Sequence, residues 1–193
     1  MKERSYDMRS RADSTAATGD RILAAAGVRF VDQAYDEVRL EDVAADAGVT
    51  VQTVLRRFGS KEGLVRAIVG LRQSDVVSAR DSAPAGDVPA AIANLVDHYE
   101  LEGPTALQLL RQELRVPIFA EITAFGRAYH RAWVARVFRP WLMRVAGRDR
   151  ARLHAQLVAV CDVYTWHLLR EQAGLSKAQT ERAIRELVEG VLP

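Results

Sequence analysis

Residues 44–58 read "AADAGVTVQTVLRRF", and this stretch decides the fold. A glycine stands between two short apolar-patterned segments, and Gln52, Arg56 and Arg57 follow it. Two short helices that cross tightly need a small residue at the crossing and a residue tolerant of positive φ in the turn. They also need an apolar anchor about one and a half turns into the second helix. Ala44, Gly48 and Val54 supply these at offsets of four and six, with Val43, Ala47, Val49 and Phe58 completing the buried side. The spacing predicts a helix-turn-helix framework of Ala44, Gly48 and Val54.

With Val54 and Phe58 inward, positions 51, 52, 55 and 56 project the other way. A helix fits the major groove of B-DNA, and its N-terminal side chains meet base edges. Gln52 can present a bidentate amide to adenine, and Arg56 can reach guanine or a phosphate. The hydroxyls of Thr50 and Thr53 suit phosphate. Arg57 and Lys61, with Arg66 and Arg72 beyond, concentrate positive charge just after this helix, against Glu62 as the one acid between 56 and 72. That is where a phosphate clamp belongs. The DNA-binding set read here is Thr50, Val51, Gln52, Thr53, Leu55, Arg56, Arg57 and Lys61. Leu55 either touches a thymine methyl or packs inward.

Outward from this motif the pattern is helical. Thr18 can cap a first helix carrying Ile22, Ala26 and Phe30, which "DQAYDEV" breaks. Leu40, Val43, Ala44 and Ala47 share one face of the second helix. Thr50 can cap the third and Ser60 a fourth, on which Leu64, Ile68 and Leu71 point inward. "DSAPAGDVP" at 81–89 holds two prolines and a glycine and reads as a linker. Beyond it helices are predicted at 90–102, 104–115, 118–146, 149–172 and 176–191, the last with a Ser176–Gln179 capping box. No stretch alternates strictly enough for a strand. The expected fold is all-α: an N-terminal three-helix helix-turn-helix domain joined to a C-terminal helical bundle. The expected limits are a flexible arm at 1–17, a DNA-binding domain at 18–65, and a ligand-binding and dimerisation domain at 66–193. The arm carries Arg4, Arg9 and Arg11, but Glu3, Asp7 and Asp13 nearly cancel them.

The chain has 193 residues, 49% of them apolar and 27% charged, which is a globular mix. Its net charge of +2 is too small to announce a nucleic-acid partner, so local distribution must do so. No apolar run approaches the ~20 residues of a membrane span, and the N-terminus has no apolar centre of a secretory signal. The lone Cys161 excludes a disulfide framework, and the expected compartment is the cytoplasm. His98, His130, His154 and His167 show no metal-ligand spacing. There is no Gly-rich phosphate loop and no Gly-x-Ser-x-Gly elbow, so neither enzyme, metal site nor cofactor is expected.

Residues 21–69, "RILAAAGVRFVDQAYDEVRLEDVAADAGVTVQTVLRRFGSKEGLVRAIV", resemble the N-terminal DNA-binding domain of TetR-type (TetR/AcrR) transcriptional regulators. The resemblance rests on the Phe30 and Tyr35 spacing, on "AADAGV", on the Thr50-capped helix and on "FGSKEGL". "LLRQELRVP" and "GRAYHRAWVARVF", within 104–146, are more loosely similar to the family's ligand domain. Many members carry a phosphate-binding tyrosine where this chain has Leu55.

The resemblance implies a homodimeric regulator, usually a repressor, that binds a palindromic operator in double-stranded DNA. A small molecule filling the bundle would release it. Phe125, Tyr129 and Trp133 form an aromatic stripe at i, i+4, i+8, and His98, Tyr99 and Trp166 come from other helices. These six are the candidate ligand pocket, although such a stripe equally serves a plain core. The family's two-fold interface is built from the last two helices, which here present Leu157, Tyr164, Leu168, Ile184, Leu187 and Val188. A constitutive regulator without inducer remains an alternative, as does an all-α small-molecule binding protein with a vestigial helix-turn-helix.

Overall fold

The computed structural model describes the backbone of residues 3–193 and the side chains of residues 14–193. Its order is α1 (Glu3–Asp32), α2 (Leu40–Asp46), α3 (Val51–Phe58), α4 (Lys61–Asp81), α5 (Val88–Gln112), α6 (Pro117–Val137), α7 (Arg139–Leu142), α8 (Gly147–Val160), α9 (Val163–His167) and α10 (Lys177–Val191). A π-helical turn, Leu168–Gln172, follows α9. The described residues contain no strand. The chain divides into two compact units, the first ending at Arg72 and the second running Gln73–Pro193.

In the first unit Ile22, Ala26, Val38, Val43, Ala44, Ala47, Val54 and Leu64 form one buried cluster. It takes one stripe from each of α1 to α4, as the 3.6-residue period requires. Thr18 does not cap α1. The helix begins at Glu3, so the stretch expected as an arm is helical in backbone from residue 3. Thr18 lies inside it and donates its Oγ1 hydrogen to the Ser14 carbonyl at 2.8 Å. A hydroxyl mid-helix satisfies itself on the preceding turn, and nothing between Ser14 and Thr18 breaks the helix. The side chains of Arg4, Arg9 and Arg11 lie outside the described residues.

The second unit departs from the pattern reading in three places. Gly103–Pro104 does not end a helix, and α5 runs through both. Gly103 is pressed against Trp166, whose Cζ3 would lie 2.5 Å from an added Cβ. Leu95, Val96, Tyr99 and Leu107 are buried on both sides of it, and that packing outweighs the lost proline hydrogen bond. The stretch 118–146 is interrupted at the buried Phe138, giving α6 and α7. The stretch 149–172 breaks after Cys161, because the Asp162 carboxylate accepts the Tyr164 backbone N–H at 2.9 Å and caps a new helix.

The stretch 81–89 is a tight turn within the second unit. Ala83 is buried, Gly86 adopts φ +86°, and the Gly86 N–H donates to the Val137 carbonyl. Asp87 then caps α5 through the Ala90 N–H. The Ser176–Gln179 capping box opens α10 as expected.

Candidate nucleic-acid interface and buried centre

The turn of the first unit is set by backbone hydrogen bonds. The Gly48 N–H donates to the Ala45 carbonyl at 3.1 Å, and the Val49 N–H reaches back to the Ala44 carbonyl at 2.9 Å. This is the pair of bonds of a Schellman motif. It requires a left-handed residue just past the helix, and Gly48 has φ +64°. Ala44 is 2% exposed and Val54 1%, so the framework triad sits as its spacing demanded. The Thr50 hydroxyl accepts the Thr53 N–H at 3.2 Å and caps α3.

Gln52, Leu55, Arg56 and Arg57 are exposed on α3. Leu55 therefore does not pack inward. Val51 is half-buried against the core cluster rather than pointing fully outward. A groove of about 430 Å³ lies beside α3, lined by Ser14, Thr15, Thr18, Thr53, Arg56 and Arg57. Hydroxyls and guanidinium groups converge on this one groove. Ser14, Thr15 and Thr18 line the groove with α3 because α1 begins earlier than the pattern predicts. Gly19 makes room for Arg57: an added Cβ would lie 2.5 Å from its guanidinium.

Lys61 is not one of these groups. Its ammonium donates to the Tyr35 carbonyl at 2.7 Å and the Val38 carbonyl at 3.0 Å, 4.3 Å from the Tyr35 ring centre. Tyr35 in turn stacks on Phe30. A compact cation with three donors spends two on the α1–α2 connection, so Lys61 is a structural tie. Arg29 ties α1 to α2 in the same way, through Asp46 at 2.6 Å. That bond holds the Asp46 carboxyl below its ordinary range.

Residues 22–68 match the family model described as bacterial regulatory proteins, tetR family. The helix-turn-helix segment is of the tetR type. It is the DNA-binding domain of a transcriptional regulator. No curated protein matches the chain. A solved transcriptional regulator from Rhodococcus sp. Rha1 is 16% identical, with a TM-score of 0.68, over 90% of this chain and 95% of that one. A transcriptional regulator (TerR/AcrR family) from Aquifex aeolicus VF5 is 14% identical, also with a TM-score of 0.68, over 91% and 99%. These likenesses establish a tetR-type fold along nearly the whole chain.

In the second unit the aromatic residues are mostly core. Tyr99, Trp133 and Trp166 are buried. The Tyr99 hydroxyl donates to the Cys161 carbonyl at 3.0 Å, and the Trp133 Nε1–H to the Arg80 carbonyl at 2.9 Å. The Trp166 Nε1–H donates to Glu100 Oε1 at 3.0 Å. Tyr129, half-buried, donates to Asp81 Oδ1 at 2.9 Å. Phe125 is 51% exposed and leaves the candidate pocket. Each four-residue step turns the helix about 400°, so Phe125 stands about 80° round from Trp133. Burial raises the Cys161 thiol to about 12, which leaves it protonated and unreactive.

The expected interface residues divide. Leu157, Ile184 and Val188 are fully buried in their own subunit's core. Tyr164, Leu168 and Leu187 are 51%, 54% and 46% exposed. One helical stripe serves the inside, and the neighbouring positions face out.

Two partly buried histidines make stability depend on pH. Burial lowers His98 to about 3, with the Arg80 and His130 charges adding to it. His130 is lowered by burial as well. Both stay neutral in the folded chain, whereas the unfolded chain takes up protons near pH 6.5. Stability is therefore complete above that value and declines as pH falls towards 3. At pH 5 the loss from His98 alone is about 2 kcal/mol. Urea midpoints at pH 7 and pH 5 check this, and His98→Asn should flatten the slope; an unchanged slope would remove His98 as its source.

Proposed function

We propose that the chain is a homodimeric transcriptional regulator, a repressor, that binds a palindromic operator and releases it when a small molecule enters the second unit. The observation that carries this reading is the exposed face of α3, where Gln52, Leu55 and Arg56 stand beside the hydroxyl and guanidinium groove. Gln52 and Arg56 read bases from the major groove. Thr53, Arg57, Ser14 and Thr15 hold the flanking phosphates. Leu55 touches a thymine methyl in place of a phosphate contact.

Tyr164, Leu168 and Leu187 supply apolar surface to a two-fold partner. That symmetry places two recognition helices on half-sites about one helical turn apart. The buried Tyr99, Trp133 and Trp166, with the half-buried His98 and Tyr129, surround the ligand. A ligand releases DNA only by binding the released form more tightly than the bound one.

Selection of bound sequences from random DNA tests the reading. The expected result is a two-fold symmetric site whose affinity falls steeply with salt, because phosphate contacts displace counterions. Sequences without two-fold symmetry would overturn it. Gln52→Ala should relax preference at one base position per half-site, at a cost of about 1–3 kcal/mol. An unchanged preference profile removes Gln52 from base reading. Leu187→Glu should convert the dimer to a folded monomer by light scattering, since a charge on a half-exposed position leaves the subunit core intact. A variant that keeps the wild-type mass places the interface elsewhere.

A further inference from the structure

Arg80 is the least expected residue of the second unit. It lies in the last turn of α4 and is only 2% exposed. Its Cζ sits 4.1 Å from the centre of the Trp133 ring and 5.8 Å from that of Tyr99. Nε and Nη1 are buried without a hydrogen-bond partner. Cation–π contact with two rings and a hydrogen bond to the Tyr99 hydroxyl offset part of the lost hydration, but Nε and Nη1 remain unsatisfied.

The surrounding carboxylates are committed elsewhere. Asp81 accepts the Tyr129 hydroxyl and lies 3.6 Å from Arg136. Glu100 accepts the Trp166 indole and Arg170, the latter at 3.0 Å. Asp162 caps α9. A second group nearby is also incomplete: His130 Nε2 meets the Val158 carbonyl at 3.1 Å, while its Nδ1 is buried and unpartnered. The carbonyl assigns the proton to Nε2, so Nδ1 of the neutral ring offers a lone pair. Desolvation holds both His98 and His130 below the ordinary imidazole range, and the Arg80 charge adds to it.

A guanidinium with two buried, unpartnered nitrogens, in an aromatic interior, is a receptor for an anionic oxygen. We propose that Arg80 anchors the carboxylate of a small organic acid bound inside the second unit. The inference rests on the ligand-response part of the proposed function and names the ligand class. The acid's apolar body lies among Tyr99, Trp133 and Trp166, and the carboxylate completes the Arg80 ion pair. A neutral analogue of the same shape leaves the guanidinium unpaired and binds poorly.

The test is calorimetric and thermal titration of the DNA-free protein with sodium benzoate, with benzamide as neutral analogue and sodium chloride at equal ionic strength. Benzoate is expected to bind saturably and raise Tm, with benzamide at least about tenfold weaker and chloride without effect. Arg80→Met should keep or raise the unliganded Tm, because it removes an uncompensated buried charge, and should lose benzoate binding by about tenfold or more. Should Arg80→Met fail to fold, Arg80→Lys is read instead. It keeps the charge but not the fork, so benzoate should weaken while its preference over benzamide persists.

The proposal is overturned if benzoate shows no saturable binding, if Arg80→Met or a folded Arg80→Lys binds it as wild type does, or if chloride matches its effect. Protein that holds benzoate yet keeps its affinity for the selected DNA supports the Arg80 site and refutes the inducer reading.

Discussion

Gly63→Ala is expected to unfold the first unit or to weaken it by about 3 kcal/mol. Gly63 lies in the first turn of α4, and its N–H donates to the Ser60 hydroxyl at 3.1 Å. A Cβ at this position would stand 1.9 Å from the Phe58 carbonyl oxygen and 3.0 Å from its carbon. Both obstacles are backbone, so neither can rotate away. To admit one methyl group, the end of α3 and the start of α4 must separate. Val54 and Leu64, at 1% and 0% exposure, hold those two helices in the same buried cluster. The separation therefore opens the core as well as the turn. Gly70→Ala is the control on the same helix, because nothing lies within 4 Å of its added Cβ. There alanine should stabilise by up to about 1 kcal/mol through helix propensity alone. Urea midpoints of the two variants give the comparison, and a Gly63→Ala protein as stable as Gly70→Ala would refute the close approach.

Lys61→Met comes next in size, and it separates two roles for one residue. Methionine keeps most of the aliphatic stem and removes the ammonium. Two charge-assisted hydrogen bonds disappear, and the Tyr35 and Val38 carbonyls lose their Lys61 donor. Val38 is 1% exposed, so water does not readily replace the lost donor there. The contact over the Tyr35 ring is lost too. The expected loss of stability is about 2–3 kcal/mol. Measured well below the unfolding transition, affinity for random DNA should fall by less than about tenfold. A variant with unchanged stability and DNA affinity lowered by more than this would return Lys61 to the phosphate clamp.

The helix-turn-helix was legible because its causes are local. The Gly48 turn is closed by hydrogen bonds spanning three to five residues, and the Thr50 cap acts on Thr53. Val54 needs only helical periodicity to face Ala44. The tetR-type resemblance rests on the same short segment, since most of its spacings lie within one turn and two helices. The capping box at Ser176 and Gln179 is equally self-contained.

Other features were settled by residues far apart in the chain. Proline and glycine predict a break at 103–104, yet Trp166, more than sixty positions away, packs against Gly103 and α5 continues. The aromatic stripe of α6 has one period, but only the neighbouring helices determine that Trp133 is covered and Phe125 is not. Charge alone marked Lys61 as a phosphate ligand, whereas two carbonyls from the α1–α2 connection turn it inward. Nothing in the local sequence marks Arg80 as buried, and the rings of Tyr99 and Trp133, from two other helices, cover it. Capping, turn chirality and helical period cost or gain energy within a few residues of chain, so the sequence by itself determined them. Which charges are stripped of water, and which aromatic faces are closed, depends on surfaces that meet only when the helices pack. Only the tertiary structure decided those.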